Sequence, residues 1–333
     1  MRERALEYLA CPDCGGELHL VAEQRDGDHI ETGSLRCASC PQVYEIRGGI
    51  PRFATVVGEV ESRTAAAFGY EWTRFPELAA RYRQQFLDWI SPVDAAFFRG
   101  KTVLEGGCGK GRHTRLAGEF GARDVVSLDL SHAVEAAYAN TRDLDNVHIV
   151  QADINRPPVK PVFDYAFSVG VLHHLPDPER GFQALVSRLR PGGSISAWVY
   201  GREGNGWIVH LVSPLRERFT ARMPRVLLEV LASVLTVVLF AATRFVYGPT
   251  RGKVLGLGLP YGEYLSYIAP FPFAEQRHIV FDHLVAPVAF DLRRDEFAGW
   301  FLRGGLEQVR IEHHNANSWR GFACVPAPVA VAS

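Results

Sequence analysis

Short apolar segments alternate with longer amphipathic ones through the middle of the 333-residue chain. The apolar segments predict strands and the amphipathic ones predict helices. The segment at 163–169 is apolar nearly throughout, which is typical of a strand buried on both faces. The predicted strands are 103–105, 125–128, 147–151, 163–169 and 194–200, and the helices between them are 112–120, 133–140 and 179–189. This alternation predicts an α/β fold with a parallel sheet and helices on both of its faces.

The flanking regions show other patterns. Residues 43–53 alternate as a strand, a glycine turn and a strand end, and further helices are predicted at 59–68 and 77–90. After an insertion the core resumes with a helix at 294–302 and strands at 308–313 and 321–325. The chain therefore divides into a small N-terminal module at 1–56, a helical linker or cap at 57–98, a core at 99–201, a mainly helical insertion at 202–290, the remainder of the core at 291–325 and a tail at 326–333.

Composition and charge exclude little. Hydrophobic residues make up 47% of the chain and charged residues 22%, and the net charge is −1. A chain with this charge has no global attraction to nucleic acid or to an anionic membrane, so we do not expect nucleic acid as a partner. The first ten residues contain no uninterrupted apolar run, so no signal peptide is expected and the predicted location is the cytoplasm.

Four of the six cysteines form two C-x-x-C pairs, separated by 22 residues. They are Cys11, Cys14, Cys37 and Cys40. Four thiolates at this spacing can close a tetrahedral zinc site. Because protein fills every ligand position, we predict a structural zinc ion that supplies most of the folding free energy of the small module. Two unrelated redox-type pairs are the alternative.

A glycine-rich turn follows the first strand of the core. It contains an acid and three alternating glycines, Glu105, Gly107, Gly109 and Gly111. Glycine lets the backbone turn sharply, adopt a positive φ and approach a ligand closely. Asp129 ends the second strand, where an acid can accept hydrogen bonds from both ribose hydroxyls of a nucleoside. A dinucleotide fingerprint would need a glycine where Arg112 stands. A tight turn with no ligand is the alternative.

This turn resembles motif I of the class I S-adenosylmethionine (SAM) dependent methyltransferases, with Glu105 where Asp is commoner. The stretch at 163–178, which contains Val-Leu-His-His-Leu-Pro, and Leu-Arg-Pro-Gly-Gly-Ser at 189–194 are similar to the later motifs of that family, especially of the small-molecule group that includes quinone-biosynthesis enzymes. The resemblance covers 101–201 and resumes at 291–325. It implies a Rossmann-like, seven-stranded class I methyltransferase sheet with SAM as the cofactor.

The N-terminal module has its own resemblance. Residues 9–18, the four cysteines and the Gly-Ile-Pro at 49–51 are similar to the short zinc-ribbon family that activates tRNA and protein methyltransferases.

The methyltransferase resemblance implies a set of cofactor-binding residues in the loops after the strands. In the family, an acid at the position of Asp153 binds the adenine amino group. The predicted set is Glu105, Gly107, Gly109, Gly111, Asp129, Leu130, Asp153, Ile154 and Ser168.

Catalytic and substrate residues are predicted from position. His173 and His174 stand just past the fourth strand, near the expected methyl group, and we expect one of them to act as a base or to orient the acceptor. The alternative is one buried turn residue and one solvated histidine. Tyr70 and Trp72 are predicted to cap the site and Tyr200 to contact substrate, with core packing as the alternative for the first two.

The insertion contains the most apolar run of the chain, 18 residues between Arg225 and Arg244 that only Glu229 interrupts. A spanning helix needs about 20 apolar residues, so we expect a buried or interfacial lid helix. This helix would contact a membrane surface peripherally, pack across a dimer interface, or pack on neighbouring elements of the same chain. Tyrosines recur nearby at helical spacing, at 261, 264 and 267, and we interpret them as packing residues.

Together these patterns predict a cytoplasmic SAM-dependent methyltransferase whose acceptor is a small, apolar metabolite methylated on oxygen, nitrogen or carbon. The first alternative is an RNA or protein methyltransferase that recognises its substrate through the zinc ribbon. The second is a non-catalytic SAM-binding scaffold that docks through the ribbon and the lid.

Overall fold

The computed structural model describes residues 1–53, 66, 69, 82–206, 208–220, 223–251, 253–254, 257–285 and 288–327. The predicted helix at 59–68 lies almost entirely outside these residues, as do the start of the helix predicted at 77–90 and the tail from 328 onward.

A seven-stranded sheet forms the centre of the molecule, as predicted. Its strands in chain order are β5 (Thr102–Gly106), β6 (Asp124–Asp129), β7 (Val147–Gln151), β8 (Phe163–Val169), β9 (Leu189–Tyr200), β12 (Glu307–His314) and β13 (Ser318–Cys324). Their spatial order is β7-β6-β5-β8-β9-β13-β12. Strands β5 to β9 are parallel, and β13 is antiparallel to both of its neighbours. The predicted α/β Rossmann-like class is confirmed.

Helices cover both faces of this sheet. They are α1 (Tyr82–Trp89), α2 (Arg112–Glu119), α3 (Val134–Thr141), α4 (Pro178–Val186) and α9 (Arg294–Arg303). On one face Phe86 of α1 packs with β-strand residues such as Phe167, and on the other Phe182 of α4 packs with Phe301 of α9. Helix α4 begins where Asp177 accepts a hydrogen bond from the Arg180 amide at 3.0 Å, which satisfies one of the free donors of the first turn.

The N-terminal module adds four strands to the same sheet. They are β1 (Leu18–Asp26), β2 (His29–Cys37), β3 (Val43–Arg47) and β4 (Ile50–Arg52), which pair antiparallel in sequence order. Strand β4 then pairs in parallel with β7, through Arg52 and Gln151, so one sheet of 11 strands runs through both parts. The side chains extend this pairing, because the Arg52 guanidinium donates to the Gln151 Oε1 at 2.9 Å and to Glu135 at 2.6 Å.

A buried carboxylate joins the module to the core a second time. Asp124, at the start of β6, is fully buried and accepts hydrogen bonds from the Tyr8 hydroxyl at 2.6 Å and the Arg4 guanidinium at 2.5 Å. His148 Nε2 lies 3.0 Å from its other oxygen. Burial alone would raise the pKa of Asp124, but the hydrogen bonds from His148 and Tyr8 and the charge of Arg4 lower it.

The insertion is mainly helical, with one small hairpin. Its elements are α5 (Ser213–Arg218), α6 (Arg225–Ala242), β10 (Lys253–Val254), β11 (Leu257–Gly258), α7 (Gly262–Ile268) and α8 (Phe273–Val285). Helix α6 packs on α8 through Leu228 and Ala232, which lie among Phe281, Leu284 and Val285. In the described part of the chain, one helical stretch, at 225–250, has the length and the apolar composition that crossing a membrane requires.

The Asp124 contacts lead to a stability prediction. Replacing Asp124 with Ala leaves buried Tyr8 and His148 groups without their acceptor, so we expect the free energy of unfolding to fall by about 3 kcal/mol. Chemical denaturation measures this change. As a control, Asp145→Ala removes the exposed partner of Arg2 and should cost under about 1 kcal/mol. Equal effects of the two substitutions would show that Asp124 does not tie the module to the core.

Candidate cofactor site and metal centre

The four N-terminal cysteines meet at one point. Their sulfur atoms all lie within 4.8 Å of one another. Cys14 Sγ is 3.4 Å from Cys37 Sγ and 3.5 Å from Cys40 Sγ, and Cys11 Sγ is 3.7 Å from Cys40 Sγ. A tetrahedral zinc ion with Zn–S bonds of about 2.3 Å needs sulfur atoms about 3.8 Å apart. The four cysteines therefore fit a structural zinc ion.

Backbone amides support the sulfur atoms, as expected around a thiolate-bound metal. The Gly16 amide lies 3.4 Å from Cys14 Sγ, and the Ser39 amide lies 3.3 Å from Cys37 Sγ. The first knuckle also lies near the core, because Asp13 pairs with Arg156 at 2.5 Å. Arg156 follows β7 by a few residues, so the zinc centre is held beside a loop of the core sheet.

The glycine turn between β5 and α2 depends on the absence of side chains. Gly107, Gly109 and Gly111 all have positive φ, at 85°, 51° and 79°. A Cβ at Gly107 would lie 2.4 Å from a methyl carbon of Val171, and one at Gly111 would lie 3.0 Å from the Ala137 Cα. Side chains at these positions would therefore be strained in conformation and would also clash with neighbours.

Asp129 is fixed by its own surroundings. Its Oδ2 accepts a hydrogen bond from the Gly109 amide at 2.8 Å, and its Oδ1 accepts from the amide and hydroxyl of Ser131 at 2.8 and 2.6 Å. Burial raises the pKa of Asp129, and these hydrogen bonds oppose that rise. The carboxylate is thus held at the end of β6 with the glycine turn, in the arrangement that a ribose-binding acid requires.

A cavity of about 1150 Å³ opens beside this turn, enclosed by the core and the insertion. Eight of the predicted residues line it: Gly107, Gly109, Asp129, Leu130, Asp153, Ile154, His174 and Tyr200. Other predicted residues support the turn from behind. Glu105 is buried and accepts hydrogen bonds from the Thr114 and Ser127 hydroxyls, and Ser168 donates to the Gly106 carbonyl at 2.8 Å. Burial raises the pKa of Glu105 to about 7.

The two histidines occupy different environments. His174 lines the cavity and donates from Nδ1 to the Val288 carbonyl at 2.7 Å. His173 lies behind it, with its ring centroid 4.0 Å from that of Tyr200, and neither ring nitrogen has a hydrogen-bond partner among the described residues. Both histidines are buried, so the alternative that one is solvated does not hold. Burial lowers the pKa of both, to about 4 for His174, which keeps the rings neutral at pH 7.

Several residues of the cavity wall were not predicted from the sequence. The core contributes Lys110, Arg112, Trp89 and Trp198, and the insertion contributes Arg216, His278, Asp282 and His283. The three tyrosines at 261, 264 and 267, interpreted above as packing residues, also line the cavity. Trp198 was within reach of the sequence, because it alternates with Tyr200 on the same strand. The predicted capping residues Tyr70 and Trp72 lie outside the described residues.

Comparison with known proteins agrees with both predicted parts. Residues 104–197 match the family described as Methyltransferase domain, and residues 2–49 match the family described as Trm112p-like protein. The chain therefore contains a methyltransferase domain preceded by a Trm112p-like domain. These matches confirm the predicted methyltransferase resemblance and, with the cysteine geometry, the predicted zinc ribbon.

Individual relatives match only part of the chain. The tRNA U34 carboxymethyltransferase of Pseudoalteromonas translucida is 37% identical over 101 residues, which are 29% of this chain and 31% of that protein. The enzyme of the same name from Pseudoalteromonas atlantica is 36% identical over 97 residues, or 28% of this chain and 30% of that protein. The chain thus spans about a third of the length of these curated relatives. A SAM-dependent methyltransferase structure from Aquifex aeolicus is 13% identical, with a TM-score of 0.43 over 77% of this chain and 98% of that one.

These relatives overturn one prediction. A small-molecule acceptor and the exclusion of nucleic acid were expected from the net charge and the family resemblance, yet the relatives are named for a tRNA nucleotide. The net charge did not exclude nucleic acid, because a net charge sums over the whole chain. Residues 213–253 alone contain seven Lys or Arg and two Asp or Glu, a net charge of +5. A near-neutral chain can therefore carry a strongly basic region.

The cysteine geometry predicts the effect of removing one zinc ligand. We expect the purified protein to contain on the order of one zinc ion per chain, and Cys14→Ser to lose most of it and melt at a lower temperature. Zinc can be measured by metal analysis and melting by circular dichroism. Cys324→Ser is the matched control, because Cys324 lies on β13, far along the sequence from the cluster. Zinc retained by the Cys14 variant would contradict a four-cysteine site.

The raised pKa of Glu105 predicts a pH-dependent stability. Between its ordinary value of 4.5 and about 7, the folded state holds a proton that the unfolded chain has lost. Glu105 therefore lowers the free energy of unfolding as the pH rises through this window. In Glu105→Gln this dependence should vanish, leaving the variant up to about 3 kcal/mol more stable than wild type at pH 8. Urea denaturation from pH 5 to pH 8 tests this, with half-exposed Glu119→Gln as control. Parallel profiles for wild type and Glu105→Gln would show that the pKa of Glu105 is not raised in the folded protein.

Proposed function

We propose that this chain is a SAM-dependent methyltransferase whose acceptor is RNA, with tRNA as the first candidate. The observation that carries the cofactor part is the hydrogen bond between the Asp129 carboxylate and the Gly109 amide on the cavity wall. It holds a ribose-binding acid against a turn of glycines, next to Asp153 and Ile154 on the following loop.

The same geometry supports the following proposed roles for the chain's own residues. Asp129 would hold the ribose hydroxyls, and Asp153 the adenine amino group. When bound, SAM supplies an electrophilic methyl group on a sulfonium. The protein then has mainly to align the acceptor atom with that methyl group and to exclude water. A neutral His174 on the cavity wall is suited to orient an acceptor or to take its proton.

The size of the cavity supports an acceptor bound beside the cofactor. Pockets for small ligands and cofactors span about 300 to 1,000 Å³, and this cavity of about 1150 Å³ exceeds that range. A nucleotide that is chemically modified must first leave its base stack and enter the active site. Space for one base beside the cofactor is therefore the minimum that this function requires.

The aromatic lining supports a base as the occupant. Tyr200 lies on the cavity wall with the His283 ring 5.4 Å away at an interplanar angle of 23°. Trp198 also faces the cavity, and its indole nitrogen has no hydrogen-bond partner among the described residues. Proteins that recognise single-stranded RNA stack its bases on aromatic side chains and bind the base edges by hydrogen bonds. Stacking of this kind is worth about 1 to 3 kcal/mol per base.

The choice of RNA over other acceptors follows from the relatives, which are named as tRNA U34 carboxymethyltransferases. The position of the ribbon is compatible with a role in RNA recognition. Its first knuckle pairs with Arg156, close to the loop that carries Asp153.

The cofactor site is tested by calorimetric titration of zinc-loaded protein with S-adenosylhomocysteine. We expect Asp129→Asn to weaken binding by about tenfold to a hundredfold, because hydrogen bonds to charged groups contribute about 1.5 to 3 kcal/mol. Asp143→Asn removes an exposed carboxylate that pairs with Arg115, and it should bind like wild type. Folded wild-type protein that does not bind S-adenosylhomocysteine would overturn the cofactor assignment.

The acceptor is tested by transfer of a labelled methyl group from SAM to tRNA from cells that lack this gene. We expect wild-type protein to label tRNA, with binding that weakens steeply as salt rises, and Asp129→Asn to lose most of the activity. Protein that binds S-adenosylhomocysteine yet labels no RNA would refute the RNA acceptor. If no other acceptor were labelled, the result would favour the non-catalytic scaffold.

A further inference from the structure

Helix α6 exposes a long apolar stripe on the outer side of the insertion. Val226, Val230 and Val234 recur every four residues, and between 57% and 74% of each is exposed. Residues four apart lie on the same face of a helix. Helix α6 thus presents a continuous row of branched apolar side chains to its surroundings.

The stripe is longer than these three residues. It also includes Leu227 and Val237, and beyond α6 it continues to Phe245, which is 78% exposed. From Val226 to Phe245 a helical rise gives a length of about 28 Å. Monomeric proteins rarely expose contiguous apolar patches larger than a few hundred Å², and larger ones mark interaction sites.

The opposite face of α6 is occupied. Leu228, Ala232 and Thr236 are buried, and the first two pack against α8. Leu231 and Leu239 line the cavity. A helix that crossed a membrane alone would lose these contacts, so α6 is suited to lie flat on an apolar boundary and not to span it.

Cations flank both ends of the stripe. Arg218 and Arg225 are exposed on one side, and Arg244, Arg251 and Lys253 are exposed on the other. Phe219, 62% exposed, follows Arg218 in the sequence, and Phe245 follows Arg244. Apolar side chains between two groups of cations, with aromatic rings near both, form the pattern of helices that lie in the interface of anionic membranes.

The arrangement of apolar and charged residues distinguishes between the possible binding partners of the outer face of α6. An RNA backbone requires cations along its path, whereas here the cations stand at the two ends of an apolar row about 28 Å long. In a second copy of the chain, the same +5 region would meet itself across a symmetric interface. An anionic bilayer satisfies both features, because lipid tails accept the apolar row and headgroups accept the flanking cations.

We infer that the outer face of α6 and its flanking cations dock the protein on the surface of an anionic lipid bilayer. This docking site is separate from the proposed RNA acceptor site and does not depend on it. Its occupant is the membrane surface itself, bound reversibly through α6 lying in the headgroup region.

The test is co-sedimentation of zinc-loaded, full-length protein with vesicles. We expect binding to vesicles of phosphatidylcholine and phosphatidylglycerol in a 3:1 ratio, and much weaker binding to phosphatidylcholine alone. Val230→Ser with Val234→Ser should reduce the affinity at least tenfold, because it removes two apolar side chains that docking would bury in the bilayer. Arg244→Gln with Arg251→Gln should reduce it about tenfold on the anionic vesicles only.

A matched control makes the same change elsewhere. Val21→Ser with Val43→Ser replaces two exposed valines of the ribbon and should leave vesicle binding unchanged. Val226→Ser with Val237→Ser provides a second pair on α6 if the first one folds poorly. Failure of wild type to bind anionic vesicles would overturn the inference, as would unchanged binding by both α6 pairs. A dimer that the α6 pairs dissociate, without vesicle binding, would overturn it in favour of a second copy.

Discussion

The structure depends on a tight glycine turn that leaves no room for a side chain at two of its glycines. Between β5 and α2 the backbone passes so close to Val171 and to Ala137 that a Cβ at Gly107 or Gly111 would clash. This closeness places the Gly109 amide on the Asp129 carboxylate, and it leaves the start of α2 facing the cavity. Buried Glu105 receives two hydroxyl hydrogen bonds behind the turn. This part of the cavity wall is therefore shaped by the backbone, and side chains behind it hold that backbone in place.

The edge of the core sheet explains why a ribbon and a methyltransferase domain share one chain. Strand β7 would otherwise expose unpaired backbone groups, which is a hazard for aggregation. Strand β4 of the ribbon pairs with it, and the Phe53 amide donates to the Gln151 carbonyl at 2.8 Å. Because the zinc cluster fixes the ribbon and Asp124 fixes Tyr8 and Arg4, the metal contributes indirectly to the geometry of that edge. The ribbon and the core are therefore coupled both by backbone pairing of β4 with β7 and by the side-chain contacts of Asp124.

Much of the core was predictable because its signals are local. The glycine spacing, Asp129 at a strand end and the two cysteine pairs each report on a few neighbouring residues. The location of Ser168 behind the turn could not be predicted, because a strand buried on both faces gives no sequence signal for which side chains face the cavity. The position of the tyrosines at 261, 264 and 267 on the cavity wall was not predicted for a related reason. Helical spacing is the same for a packed face and for a cavity wall. The charge of residues 213–253 was hidden in a sum over the whole chain.

The insertion combines two requirements in one helix. Leu231 and Leu239 of α6 form part of the cavity wall, while Val230 and Val234 point outward from the same turns. A helix is stiff over this length, so a displacement of its outer face is transmitted to the cavity wall within the same element. It is anchored to the rest of the insertion along α8, where Leu228 and Ala232 pack near Phe281 and the Phe240 ring contacts that of Phe273. Binding at the outer face of α6 would therefore affect the shape of the cavity through α6 itself, without movement of another element.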